Sequence, residues 1–180
     1  ISSEYTYQVM KHLEKKHFAI NCISKSGTTT ETAVSFRLLK NLYVEKFGKE
    51  TLKDAVLATT DKARGALKSE ADKEGYECFV IPDDIGGRFS VITPVGLLPI
   101  ACAGIDIKAF LQGVKDGEKE YSLKDLYKNP AYFYGGLRFY LNRIKRYASE
   151  MFVSYDMQNR MIAEWLKQLF GESEGKDNKG

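Results

Sequence analysis

Apolar positions along this chain alternate between helical stripes and short continuous runs. Tyr5, Val9 and Leu13 recur at helical spacing and predict a helix over residues 3–16, with Ser2 or Ser3 as its cap. Residues 18–24 then form a brief apolar run of strand length. Ala33, Phe36, Leu39, Tyr43 and Phe47 restore the helical period over residues 31–47, and Gly48 supplies a natural stop. Residues 54–60 read as a second strand, 61–74 as a polar helix capped by Asp61 and closed by Gly75, and 77–81 as a third strand ended by Pro82. Apolar runs that are continuous, not alternating, and that are separated by helices predict an α/β fold: a three-layer αβα sandwich with a mainly parallel, doubly wound sheet of the flavodoxin-like kind.

Beyond Pro82 the pattern predicts mostly helix. Thr93 and Pro94 open one that Pro99 should end or kink. Two short helices are expected over 106–114 and 122–128, divided by an exposed charged loop at 115–120. Asn129 and Pro130 start a longer aromatic-rich helix reaching about Lys145, whose Tyr132, Phe133, Tyr134, Phe139 and Tyr140 suit packing better than base stacking. A last apolar run at 148–155 reads as a strand, and 157–170 as a helix. Because these follow an all-helical interval, a second domain is expected to begin at 147, leaving 1–146 as the first domain with its helical connection.

The chemistry-bearing positions lie mainly at strand ends. Ser24-Lys-Ser-Gly-Thr-Thr-Thr-Glu-Thr32 places six hydroxyl side chains around one glycine between a strand and a helix. Such a loop either cradles an anion, using the free amides and positive dipole end of the helix, or caps the helix through Thr28 or Thr29. Asp83-Asp-Ile-Gly-Gly-Arg-Phe-Ser90 follows the third strand, at the sheet end where open α/β sheets bind ligands, and it presents Arg88 either to a ligand or as an exposed solvated side chain. Gly171-Glu-Ser-Glu-Gly-Lys176 offers Glu172 and Glu174 in a glycine-flanked turn, as a general base or as solvated surface.

Composition narrows the classes without choosing among them. The chain has 180 residues, 43% hydrophobic and 28% charged, with a net charge of +3, so neither disorder nor a polybasic nucleic-acid surface is expected. No run is long enough to span a membrane and no secretory leader is visible, which makes a cytoplasmic setting the expectation. Cys22, Cys78 and Cys102 are scattered and read as buried free thiols, while His12 and His17, five residues apart, suit neither a metal site nor a triad and are expected to face solvent. Lys25 precedes Gly27, the wrong order for a P-loop, and no Gly-x-Gly-x-x-Gly follows a strand. No metal or cofactor is expected.

Together the three motifs, with Ala58-Thr-Thr-Asp-Lys-Ala-Arg64 and Thr93-Pro-Val-Gly96 between them, resemble the glucose-6-phosphate isomerase family of the bacterial type over essentially the whole chain. The resemblance implies paired sugar-isomerase domains, each a five-stranded parallel sheet, with the three βα units here forming most of the first. It implies a phosphosugar substrate whose phosphate is held by Ser24, Ser26, Thr29 and the backbone N–H of Lys25. Arg88 would stabilise the enediolate of an aldose–ketose isomerisation, and Glu172 would carry the proton between C2 and C1, with Glu174 its solvated neighbour. It further implies a homodimer for the full-length enzyme, and it leaves a second phosphate-binding serine to precede Ile1 and the ring-opening histidine and lysine to follow Gly180. The chain is therefore read as an internal fragment, expected to be inactive alone. A non-catalytic phosphosugar-binding regulatory module shares the loop but has no use for Glu172 with Arg88; a flavodoxin-like redox domain lacks a recognisable isoalloxazine loop.

Overall fold

A computed structural model of the chain describes residues 2–177. Its packing divides into two compact units, residues 1–103 and 104–180, a division that falls before the domain boundary expected after residue 146.

The first unit is built on a parallel sheet. Strands β1 (Ile20–Ile23), β2 (Val56–Thr60) and β3 (Glu77–Val80) lie side by side in that order, with Ile20 opposite Val56 and Ala58 opposite Cys78. Helix α2 (Thr30–Phe47) connects the first pair and α4 (Ala66–Glu74) the second. With strands added in one direction, right-handed crossovers carry both helices onto the same face of the sheet. That face holds the core: Ile20, Cys22, Val56 and Ala58 meet Phe36 and Tyr43 of α2, Leu67 and Ala71 of α4, and Tyr76. Along α2 the predicted stripe is observed in part, since Phe36 and Tyr43 are buried and Leu39 and Phe47 half-buried, while Ala33 is exposed. The α/β class with an all-parallel sheet is thus as the continuous apolar runs predict.

Boundaries differ from expectation where short polar side chains redirect the backbone. The second strand begins at Val56, not 54, because Leu52–Ala55 form a single helical turn, α3, that drops Leu52 into the core. The fourth helix starts at Ala66, not at 61. Asp61 instead accepts the N–H groups of Ala63 and Arg64 at 2.9 and 3.1 Å, folding a side-chain-capped turn ahead of the helix. Helix α1 (Ser3–Leu13) is capped by Ser2 as expected, but Tyr5 of its stripe is exposed. The chain after β3 enters a 3₁₀ turn (Gly87–Ile92) and then α5 (Pro94–Cys102), which runs through Pro99. Proline removes one amide from the ladder, and the Ala103 N–H still bonds the Pro99 carbonyl at 3.0 Å. Cys22 is buried, Cys78 half-buried and Cys102 exposed, so the expectation of three buried thiols is corrected at Cys102.

The second unit is helical. Helix α6 (Ile107–Tyr121) runs straight through the expected loop at 115–120, whose Lys and Glu residues are good helix formers and whose Asp116 pairs with Gln112 and Lys119 at 3.0 and 3.2 Å. The helix expected over 122–128 is absent. There Asp125 accepts from Tyr127 and Lys128, and the fully buried Asn129 donates back to the carbonyls of Tyr121 and Leu123, closing a turn into α7 (Pro130–Phe139). A π-helical turn (Tyr140–Ile144) follows, and the aromatic residues expected to pack stay largely exposed, Tyr132 at 53% and Phe139 at 64%. Residues 148–155 form no strand: among the described residues no neighbour pairs with their backbone, and a lone extended segment gains no ladder. A short 3₁₀ turn (Met157–Asn159) leads into α8 (Arg160–Glu174), which continues past 170. Glu172 therefore sits on the last turn of a helix, not in a loop.

Candidate functional site

Ser24 to Thr29 leave the carboxyl end of β1 and open onto α2. Ser24 is buried; its N–H continues the sheet to the Thr59 carbonyl at 3.0 Å, and its Oγ accepts the Gly27 N–H at 3.0 Å. Ser26 Oγ accepts from the Thr28 N–H and hydroxyl at 3.2 and 2.9 Å. The loop is thus a set of hydroxyl-to-amide turns with its outer side chains in solvent. Thr29 occupies the N-cap position of α2 but its side chain makes no capping bond. Thr29 therefore does not cap the helix through its side chain, and the Thr28 hydroxyl, the other capping candidate, donates to Ser26 instead. The first amides of α2 have no intrahelical acceptor, and with the helix dipole they favour an anion.

Close packing holds the loop in this shape. Gly27 has φ +72°, and a Cβ there would lie 2.1 Å from the Leu67 nitrogen. Gly65, at φ +106°, lets the following Ala66 N–H reach the Ser26 carbonyl at 2.8 Å. The turn after β2 therefore backs the loop after β1. The Asp61 carboxylate anchors that turn and is itself held below its ordinary value near 3.8, chiefly by the Ala63 N–H, with the Arg64 N–H and nearby cations assisting against burial.

Lys25 joins this loop to the arginine loop. Its ammonium donates to the carbonyls of Pro82 and Asp83 at 3.4 and 3.3 Å and pairs with the Asp83 carboxylate at 3.2 Å. Sequence reasoning missed that side-chain role, because a contact across more than fifty residues leaves no local pattern. Arg88, in the 3₁₀ turn, is half-buried with its guanidinium 4.8 Å from the Phe89 ring centre. Beside the loop, Ser24 and Gly27 share a cleft of about 500 Å³ between α2 and α4 with Cys22, Phe36 and the Lys40–Glu70 ion pair. Lys25, Ser26, Thr29 and Arg88 do not line it. Burial, with the Glu70 charge, pushes the Cys22 thiol up to about 11, a poor nucleophile.

Glu172 and Glu174 belong to the second unit. Glu172 is exposed and accepts from Gln168 one turn back at 3.0 Å. Glu174 is exposed, as expected of a solvated neighbour, but it is also paired: Arg138 Nη1 and Nη2 donate to its two oxygens at 2.6 and 3.1 Å, and Arg138 Nε donates to Glu150 at 2.6 Å. Glu150 also accepts the Tyr134 hydroxyl at 2.6 Å, and the Tyr134 and Arg138 bonds together lower its pKa. His12 and His17 are exposed, His17 stacking on Phe47 with ring centres 5.0 Å apart. Among the described residues no group of His, Cys, Asp or Glu is placed to hold a metal, and no helix is long and apolar enough to cross a membrane.

Fold and loop define a class: an α/β protein with a hydroxyl-rich loop at the carboxyl edge of a parallel sheet, where open sheets of this kind bind ligands. The sequence model of the family described as phosphoglucose isomerase matches residues 1–179, and this chain belongs to that family. It is 54% identical over its whole length to glucose-6-phosphate isomerase of Lactobacillus helveticus and 56% identical to that of Bacillus cytotoxicus. In each case the chain spans 40% of the relative's length. A crystal structure of a hypothetical protein from Thermus thermophilus superposes with a TM-score of 0.87 at 30% identity, covering 98% of this chain and 41% of that one.

Proposed function

We propose that the protein carrying this chain interconverts glucose 6-phosphate and fructose 6-phosphate through an enediolate. The observation that carries this reading is the Ser24–Thr29 loop opening onto an α2 N-terminus that Thr29 leaves uncapped by its side chain. Ser24, Ser26 and Thr29 supply hydroxyl donors to the phosphate and Lys25 its backbone N–H, which suits a lysine whose ammonium is already engaged with Asp83. In the opened sugar, the Glu172 carboxylate takes the proton from C2, the C–H pair forms the C1–C2 double bond, and O1 gains negative charge. Arg88, permanently charged, stabilises that oxygen until Glu172 returns the proton to C1, while the O2 hydroxyl proton passes to O1 and C2 becomes the carbonyl of the ketose. The chain spans 40% of the length of these relatives, so the 180-residue chain alone is expected to be inactive.

The same reading assigns 1–146 to the first sugar-isomerase domain with its connection and 147–180 to the start of a second, and the full-length protein to a cytoplasmic homodimer. Its test is Glu172→Gln in the full-length protein, followed by proton exchange at C2 of bound substrate and by phosphate affinity. Exchange lost with phosphate affinity retained is the expected result. Loss of both in step would point to a structural role for Glu172, and no exchange in the unmutated full-length protein would point to a non-catalytic phosphosugar-binding module.

A further inference from the structure

Resting on the assignment of Glu172 as base, we infer that Arg138 is a positioning residue that aims it by clamping the last turn of α8 through Glu174 and Phe170. The turn is poorly equipped to hold itself. Gly171 and Gly175 flank it, and it carries two carboxylates at the negative end of a helix dipole, where anions are disfavoured. Arg138, projecting from α7, offsets both weaknesses.

Its guanidinium takes both Glu174 oxygens in a fork at 2.6 and 3.1 Å and covers the Phe170 ring at 4.8 Å. The remaining Nε donates to Glu150 at 2.6 Å, and Glu150 is held from its other oxygen by Tyr134, also on α7. Phe152, close to Glu150 in the chain, stacks on Phe170 with centres 5.4 Å apart. The helix end is thus gripped on one side by a charged fork and an aromatic pair.

Phe170 and Glu174 are four residues apart and share that side of the helix. Glu172 lies between them, turned roughly 200° away by the 3.6-residue period, on the side where Gln168 meets it. Arg138 accordingly sets the rotation and height of the turn without touching the base. A bidentate arginine suits the task because a fork fixes orientation, whereas a lysine would fix only distance.

The test uses the full-length protein with Arg138→Gln, Glu174→Gln, their combination, and Arg138→Lys, alongside Glu172→Gln. The expected result is a fall in kcat of about tenfold to a hundredfold, the range a misplaced catalytic group produces, with KM within twofold. The double variant should be no worse than either single one. Arg138→Lys should recover only part of the loss, and amide exchange should rise at residues 171–175 while Tm barely changes. Full recovery by lysine, a loss of kcat that tracks Tm, or unchanged kcat in both glutamine variants beside an inactive Glu172→Gln would each overturn the clamp alone. Turnover that survives Glu172→Gln would overturn the base assignment and the clamp with it.

Discussion

At the residue scale, the loop after β1 depends on one position without a side chain. Gly27 combines a left-handed φ of +72° with backbone of α4 where a Cβ would stand, 2.1 Å from the Leu67 nitrogen. Gly27→Ala therefore adds αL strain to overpacking against an element that cannot yield without moving α4 off the core. The expected cost is roughly 2–4 kcal/mol, read as a lower denaturation midpoint at unchanged m-value. The motif spelled out the glycine and its hydroxyls, but the neighbour that makes alanine intolerable comes from forty residues further on. Lys25 and Arg138 show the same limit more sharply. Each is an ordinary surface-type cation in the sequence, and each acquires a role only through carboxylates that the fold delivers.

At the scale of elements, the two units were unequally legible. Continuous apolar strands and a stopped helix predicted β1, α2, β2, α4 and β3 with errors confined to their ends. Past residue 103, charged residues at 115–120 suggested a loop but continue a helix, and residues 122–128 suggested a helix but turn on side-chain caps. Asn129 is the pivot of that turn. It is fully buried, donates to Tyr121 and Leu123 at 2.7 and 2.9 Å, and accepts the Ala131 and Tyr132 N–H groups at the start of α7. Asn129→Ala removes the cap and the bonds to the part-buried carbonyls of Tyr121 and Leu123, a loss expected to reach roughly 1–3 kcal/mol in the second unit. Thermal unfolding followed by near-UV signals from Trp165, in that unit, checks it.

For the whole molecule, the contrast in burial sets the expectation. The first unit encloses its core between one sheet face and two helices, whereas in the described part of the second unit Asn129 is the one residue classed as buried and Tyr127, Met151, Phe152 and Tyr155 are exposed. Native-state hydrogen exchange of the 180-residue chain should find slow amides in β1, β2, β3, α2 and α4 and fast ones through 104–177, because few buried apolar contacts oppose local opening there. Equal protection in both units would contradict this. By itself the sequence determined the α/β class, the parallel strands, the hydroxyl loop at a strand end and the motifs that signal the family, because periodicity, turn residues and motif order are local properties of the chain. Tertiary structure alone decided that 148–155 pairs with no strand among the described residues and that Glu172 rides on a helix. It also decided that Glu174 is held by Arg138 and that Lys25 ties two loops together. Those facts depend on partners tens of residues apart, brought together only when burial and charge pairing fold the chain.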